Sequence, residues 1–369
     1  MTSKRRYIDG LKGAACLLIM LGHFSGLYKY AQNCSAIDAP FLHIIPYSLL
    51  TEGFWLRLFY VLSGYLVSRS RVCTVRDLVR KIIMRFVRLA LPLLGASFFI
   101  LLITALFGIH NKDIQAVVAN QWVATSYLEP LTFAGAIIEP FRVLLLGESV
   151  FSPVWWVLKS MFFASLLVYL ITYAGNLRFS NQAFSPVAAV AASLVFILFF
   201  IYSGKDIYFS VLIGALYGYC EQAVCKAIEH RKWICWLMLV APVVGFQDPN
   251  CISKPGVLFF TDASFVCFII AVEHLKLPNA LFTKLDKLGS ISFGIYSLHW
   301  PVFCSIGLLI IIKGITKMQG FLIYLISITV CVLITIGLSI LFWASVEKWS
   351  SVACKKLDHL LAVNREAAP

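Results

Sequence analysis

Charged residues are scarce in this chain: Asp, Glu, Lys and Arg make up only 13% of its 369 residues. Hydrophobic residues make up 60%, and the mean hydropathy is +0.86. Soluble domains carry about 25% charged residues, so the composition excludes an ordinary soluble domain. It predicts an all-α, polytopic membrane protein, because a chain that crosses a bilayer as helices satisfies its own backbone hydrogen bonds.

Several signatures of catalysis and of metal binding are also missing. The sequence has no GxSxG elbow, no Walker-type phosphate loop, no HExxH motif and no clustered pair of carboxylates. Its eleven cysteines include no CxxC pair, which favours reduced, packed thiols over a disulfide framework or a zinc site. No metal cofactor is predicted.

The charge that is present is mostly positive, with a net charge of +13. The Lys and Arg residues lie between apolar runs and not in a patch interleaved with aromatic residues, so we predict the lipid bilayer as a partner and no nucleic acid. About ten apolar runs are long enough to cross a bilayer. Their approximate bounds are 10–30, 53–69, 88–109, 153–174, 185–203, 207–225, 233–247, 257–274, 289–312 and 320–346.

The basic residues also predict the orientation of these spans. A cytoplasmic N-terminus places nearly all basic loops on the inner side, as the positive-inside rule requires, with Lys313 and Lys317 as the exceptions. The C-terminus is then cytoplasmic as well. We predict a transmembrane domain over residues 1–347 and a short, frayed cytoplasmic tail over 348–369. Residues 110–152 are expected to lie over the outer face as interfacial helices or to re-enter the membrane.

Three titratable residues, Asp9, Lys12 and His23, lie in the first span. A charged group in hydrocarbon is expensive and persists mainly where it faces a protein interior or a polar site. The offset of eleven residues from Lys12 to His23 is about three helical turns, so both project from nearly the same face. His23 suits a general base, or it is a histidine capped by a neighbouring helix. Lys12 either pairs with Asp9 or snorkels to the headgroups.

Further candidates lie on later spans. His299, followed by Pro301, reaches a depth comparable to that of His23 on the ninth span, as a functional group or as a histidine satisfied by the broken helix. Arg85 and Arg88 lie three residues apart before the third span, where guanidinium groups grip phosphates, although the positive-inside rule predicts the same residues. Glu148 lies near the outer face with other carboxylates that either bind sugar hydroxyls or are simply solvated.

Five motifs in order resemble the membrane-bound acyltransferase family three. The first is a basic residue, ten residues and a histidine, from Lys12 to His23. The others are FYVLSGYL at 59–66, RFVRL with the proline at 92, WWVL at 155–158, and LGSISFGIYSLHWP at 288–301. The resemblance runs from residue 7 to residue 301 and so covers most of the chain.

The resemblance implies a ten-helix core, a cytoplasmic acyl-CoA donor and an acceptor reached from the other side. By position, His23 is the catalytic histidine, Lys12 its basic partner, and Arg85 with Arg88 the contacts for the coenzyme A phosphates. The family usually has a glutamate five residues after the tryptophan, and here that position is Met161. Either another carboxylate such as Glu148 substitutes, or the acceptor differs, or the chain is an inactive member.

We therefore predict O-acyl transfer, with acetyl-CoA as the donor, to a hydroxyl of a surface polysaccharide or of its lipid-linked precursor in a bacterial inner membrane. His299 joins Lys12 and His23 as a catalytic candidate. The candidate substrate-binding residues are Asp9, Ser63, Tyr296, Trp156 and Glu148. A transporter or flippase of a lipid-linked sugar and an inactive scaffold are the alternatives, and a homo-oligomer or glycan-assembly partners are compatible with each of them.

Overall fold

A computed structural model describes residues 3–29, 52–70, 72–116, 121–177, 186–229, 232–245, 255–275, 279–314, 316–318 and 320–363. These residues form helices and contain no β-strand, which confirms the all-α class for this part of the chain.

The helices are numbered in chain order. The first half contains α1 (Ser3–Lys29), α2 (Glu52–Ser68), α3 (Val75–Phe107), α4 (Gln121–Ala124), α5 (Phe133–Phe141), α6 (Val157–Leu177) and α7 (Pro186–Ser203). The second half contains α8 (Asp206–Ile228), α9 (Lys232–Gly245), α10 (Pro255–His274), α11 (Asn279–Ser290), α12 (Ser292–Val302), α13 (Leu308–Gly314), α14 (Gly320–Phe342) and α15 (Lys348–Val363).

Six helical segments within the described residues are long and apolar enough to cross a bilayer. They are Tyr7–Phe24, Val75–Phe107, Pro153–Asn176, Pro186–Ser203, Ser292–Gly314 and Leu322–Ala362. This supports the polytopic membrane class. The count of ten spans and the cytoplasmic position of both termini stay predictions.

Glycines allow the central helices to approach closely. A Cβ atom added at Gly64 of α2 would overlap the carbonyl oxygen of Val211 in α8, and one added at Gly214 of α8 would overlap the carbonyl oxygen of Val61 in α2. The two glycines therefore form a reciprocal contact of backbone on backbone. Small residues serve this purpose in membrane bundles, where dispersion forces between closely packed helices replace the hydrophobic effect.

A buried ion pair joins α2 to α10 in the same part of the bundle. Arg57 Nε donates to Asp262 Oδ1 at 2.9 Å and Arg57 Nη2 to Asp262 Oδ2 at 2.7 Å. Both side chains are almost fully buried, and Arg57 Nη1 also lies 3.6 Å from a carboxylate oxygen of Asp206. The bidentate geometry satisfies two charges that would be very costly to bury alone.

The C-terminal segment is helical where the structure describes it, so the expectation of a frayed tail is wrong for residues 348–363. Helix α15 packs against the start of α3, where Arg80 Nε donates to Asp358 Oδ1 at 2.6 Å. A capping box of Thr74 and Asp77 begins α3 at this end. We call this end of the bundle, where α3 begins, the basic end.

The segment from 110 to 152 contains short helices at the other end of α3, and its predicted position at the outer face stays a prediction. Its fold depends on the buried carboxylate of Glu139, which accepts hydrogen bonds from Ser149 Oγ at 2.7 Å, Val150 N at 2.9 Å and Phe151 N at 3.2 Å. Burial raises the pKa of Glu139, and these hydrogen bonds oppose that shift by stabilising the ionised form. This segment closes the bundle over the residues described next.

Candidate functional site

Two histidines meet inside the bundle, His23 from α1 and His299 from α12. Nδ1 of His23 lies 2.8 Å from Nε2 of His299, and the two rings stack with their centroids 5.1 Å apart. His299 is fully buried and His23 is 9% exposed. The structure therefore brings together the two histidines that the sequence predicts at comparable depth, although 276 positions separate them in the chain.

The hydrogen bonds of this pair assign the positions of its protons when both rings are neutral. Nδ1 of His299 lies 3.0 Å from the carbonyl oxygen of Ile295, which accepts only, so this nitrogen carries the proton. Nε2 of His299 is then an acceptor and Nδ1 of His23 is its donor. The other ring nitrogen of His23, Nε2, therefore carries no proton. His299 thus orients His23 and leaves it with a basic nitrogen.

Aromatic side chains surround the pair. The Trp300 ring meets His23 edge to face with centroids 6.0 Å apart, and Phe24 meets His299 at 6.2 Å. The Trp300 indole N–H donates to Ser126 Oγ at 3.3 Å, which connects this wall to the 110–152 segment. Trp300 was not a sequence-based candidate, and the only signal for it was its place between His299 and a proline.

A cavity of about 240 Å³ lies between the histidine pair and the basic end. Lys12, Cys16 and Ile19 of α1 line it, and His23 is the next residue on that helix face, one turn further along. The rest of the lining is largely apolar and comes from the residues Leu56, Phe59, Tyr60, Ser63, Leu66, Val67, Arg85, Leu89, Val157, Leu158, Met161, Ser292, Phe293 and Tyr296.

The cations of this cavity lie toward the basic end. Lys12 Nζ donates to Asp9 Oδ1 at 3.1 Å, which is the pairing that the sequence offered as one reading of these two residues. Arg85 Nη2 donates to Ser63 Oγ at 3.2 Å, and its buried Nε has no hydrogen-bond partner among the described residues. Arg88 is exposed and does not line the cavity. The structure thus separates the two arginines.

One wall of the cavity begins at residue 153. The Tyr296 hydroxyl donates to the carbonyl oxygen of Val154. Met161 is 8% exposed and lines the cavity, so no carboxylate stands at this position. Trp156 is 54% exposed and points away from the cavity. Glu148 is exposed and is not part of the lining either.

A carboxylate that the sequence analysis did not select lies close to this site. Glu347 ends the π-helical turn Trp343–Glu347, one residue beyond the last predicted span. The Gly294 N–H donates to it, and it lies close enough to Cys16 to interact with the thiol electrostatically. Its buried Oε1 has no hydrogen-bond partner among the described residues. A lone glutamate that ends an apolar run was the only signal for it.

A separate polar cluster lies between α1, α2, α8 and α10. Tyr7 donates to Glu273 at 3.0 Å and Tyr65 donates to Glu221 at 3.0 Å. Ligand atoms of Glu221, Cys225 and Glu273 lie within 4.8 Å of one another. Tyr217 also donates to Glu273 and Arg69 lies 3.3 Å from Glu221, so protein groups from neighbouring helices bind both carboxylates and we assign this cluster to helix packing.

The arrangement around the histidines is suited to proton transfer at the end of a long apolar ligand. An imidazole lies among buried aromatic side chains, where electrostatic interactions are strong. The cavity below it is apolar, and its two cations, Lys12 and Arg85, lie toward the basic end. A ligand with a negatively charged group at one end and a reactive group at the other matches this distribution of charge.

Comparison with known proteins identifies the family. The model of the acyltransferase domain of acyltransferase family 3 matches residues 5–344, which is nearly the whole chain. Comparisons with curated proteins and with solved structures give no significant match. The family match agrees with the resemblance that the five motifs carry. The chain therefore belongs to acyltransferase family 3 and is a multi-pass membrane acyltransferase.

Proposed function

We propose that this protein transfers an acyl group, acetyl in the simplest case, from acyl-CoA on the cytoplasmic side to a glycan hydroxyl on the other side of the membrane. The observation that carries the proposal is the cavity that Lys12 and Arg85 line, which lies one helical turn from His23, although neither histidine is part of its lining. The acceptor belongs to a surface polysaccharide or to its lipid-linked precursor, and the expected location is a bacterial inner membrane.

The donor enters from the basic end in this proposal. Arg85 and Lys12 bind phosphate oxygens of coenzyme A by charge-assisted hydrogen bonds. The eleven-residue interval from Lys12 to His23 is about 16 Å along a helix, a distance that an extended pantetheine arm spans. The thioester then lies among the apolar side chains beside His23. Met161 adds an apolar side chain to the lining of this cavity.

The chemical step is a direct transfer. His23 Nε2 takes the proton of the acceptor hydroxyl as its oxygen attacks the thioester carbonyl carbon. The resulting oxyanion needs a hydrogen-bond donor close to His23, whereas Ser63 binds Arg85 at the phosphate end of the cavity. Collapse of the intermediate breaks the C–S bond and releases the thiolate, which receives the proton from the His23 imidazolium.

The proposal is tested with purified protein in lipid nanodiscs, acetyl-CoA labelled in the acetyl group, and glycolipid extracted from bacterial membranes. We expect label to appear in carbohydrate as an ester that mild alkali removes. Heat-inactivated protein provides the control for chemical acetylation. Flux of glycolipid across proteoliposomes without any acyl donor, together with no ester formation, would contradict the proposal and would favour the transporter reading.

We expect Arg85→Ala to raise the KM for acetyl-CoA about 10- to 100-fold, because a hydrogen bond to a charged group contributes about 1.5–3 kcal/mol. Arg88→Ala is the matched control, since Arg88 lies one turn away on the same helix but is exposed outside the cavity. Its KM is expected to change less than threefold, as is typical of a screened surface charge. Equal effects of the two substitutions would show that the cavity is not the donor site.

A further inference from the structure

A second and larger opening lies at the end of α3 that is farthest from Arg85. It is an open cleft of about 680 Å³. The end of α3 supplies one side and the 110–152 segment supplies the other. The lining residues are Leu101, Thr104, Ala105, Ile109, Asn111, Lys112, Asp113, Tyr127, Leu128, Glu129, Pro130 and Leu131. No residue of this set lines the donor cavity.

A small number of contacts connects the walls of the cleft to the helix that carries His299. The backbone N–H of His110 donates to the carbonyl oxygen of Cys304 at 3.0 Å, and the Trp300 indole N–H donates to Ser126 Oγ at 3.3 Å. Ser126 precedes Tyr127, which lines the cleft, and Trp300 packs edge to face on His23. A short layer of side chains therefore separates the bottom of the cleft from the proposed base.

Tyr127 in this layer has an unusual conformation. Its φ is +54°, and it is the only residue other than glycine with a positive φ among the described residues. Such a conformation is strained for a residue with a side chain and persists where the surroundings enforce it. The buried hydroxyl has no hydrogen-bond partner among the described residues. Burial raises the pKa of Tyr127, so the group remains a neutral O–H that can donate to an incoming oxygen.

The polar groups of the cleft carry both signs of charge. Asp113 pairs with His110 at 3.0 Å and Glu129 pairs with Arg142 at 3.5 Å, and both carboxylates remain more than 60% exposed. A carboxylate has about four acceptor sites, so each retains sites for O–H donors. Mixed charges together with an aromatic side chain suit a neutral ligand rich in hydroxyl groups better than they suit an anion or an acyl chain.

We infer that this cleft is the acceptor subsite and that it binds a carbohydrate, whose hydroxyl reaches His23 past Tyr127 and Trp300. The inference rests on the proposed function and adds the position at which the acceptor binds. The donor reaches His23 through the first cavity and the acceptor through the cleft, so the reacting groups meet at the histidine pair.

Ala105→Trp tests the subsite, because Ala105 lines the cleft and an indole at this position fills it. Leu102→Trp is the matched control, since Leu102 lies on the same helix, is 58% exposed and is not part of the lining. Transfer of labelled acetyl from acetyl-CoA to glycolipid in native membranes is the readout for the acceptor. The KM for acetyl-CoA is the readout for the donor site.

We expect Ala105→Trp to lower transfer at least tenfold with an unchanged KM for acetyl-CoA, while Leu102→Trp retains the rate of the unmodified protein. Transfer by Ala105→Trp at the Leu102→Trp rate overturns the subsite, and label in lipid or protein instead of carbohydrate overturns the ligand class. If Ala105→Trp is not monodisperse, Glu129→Gln replaces it, with an expected threefold to tenfold loss. No transfer by the unmodified protein overturns the proposed function itself.

Discussion

His23→Ala is expected to lower the kcat of acyl transfer about 100- to 10,000-fold, the range that a positioned general base contributes. The geometry points to His23 as the base, because His299 donates its own Nδ1 proton to the Ile295 carbonyl and accepts from His23 Nδ1. The basic nitrogen of His23 is therefore oriented before substrate arrives. Alanine removes that nitrogen and leaves the donor cavity below it intact.

The rate is measured with acetyl-CoA labelled in the acetyl group, on protein that elutes as a single species from a sizing column. Binding of acetyl-CoA, followed as a thermal shift, is expected to persist in His23→Ala. His274→Ala is the control, because His274 also bonds through Nδ1 to a backbone carbonyl, at 2.9 Å, but lies on α10 away from the cavity. A folded His23→Ala variant with the unmodified rate would remove His23 from the mechanism.

Gly214→Ala is expected to destabilise the protein by about 3 kcal/mol or more, near the upper end of the range for overpacked cores. The added methyl group would overlap the Val61 carbonyl oxygen of α2, which is backbone and cannot move aside as a side chain can. Relief requires that α2 and α8 move apart. That movement would weaken the contact of Gly64 with Val211 and would strain the nearby Arg57–Asp262 ion pair.

Gly337→Ala provides the control for this substitution. Gly337 lies in α14, and a Cβ atom there meets no other atom within 4 Å. Alanine is favoured over glycine in a helix by about 1 kcal/mol, so this variant should be neutral or slightly more stable. Both variants are heated in detergent, and the fraction of protein that stays monodisperse is measured at each temperature. The midpoints of these curves rank the two variants. Equal midpoints would show that α2 and α8 do not pack through Gly214.

Local spacing in the sequence was enough to predict that Lys12 and His23 share one face of α1. Lys12, Cys16, Ile19 and His23 recur at intervals of three and four residues, and helix geometry alone places them on one stripe. The five motifs likewise predicted the family, which the match over residues 5–344 confirms. The roles of individual site residues and the identity of the acceptor stay predictions.

Other features depended on contacts between distant parts of the chain. Arg85 and Arg88 share a motif, but only Arg85 lines the cavity. Similarly, Trp155 is fully buried while its neighbour Trp156 is exposed. A motif states which residues are close in sequence, and the rotation of a helix against its neighbours decides which of them reach a cavity. In a membrane protein the helix faces that contact lipid are as apolar as those that contact other helices, so hydropathy reports that rotation only weakly.

Spacing and hydropathy thus established the all-helical class, the family and the stripe of α1 that carries His23. Packing decided that His299 is its partner, that Glu347 lies close to Cys16, and that a second cleft opens at the end of α3 that is farthest from Arg85. The physical reason is the range of each effect. Helix periodicity acts over a few residues, whereas these contacts join α1 to helices almost 300 residues away and depend on backbone contacts at a few glycines.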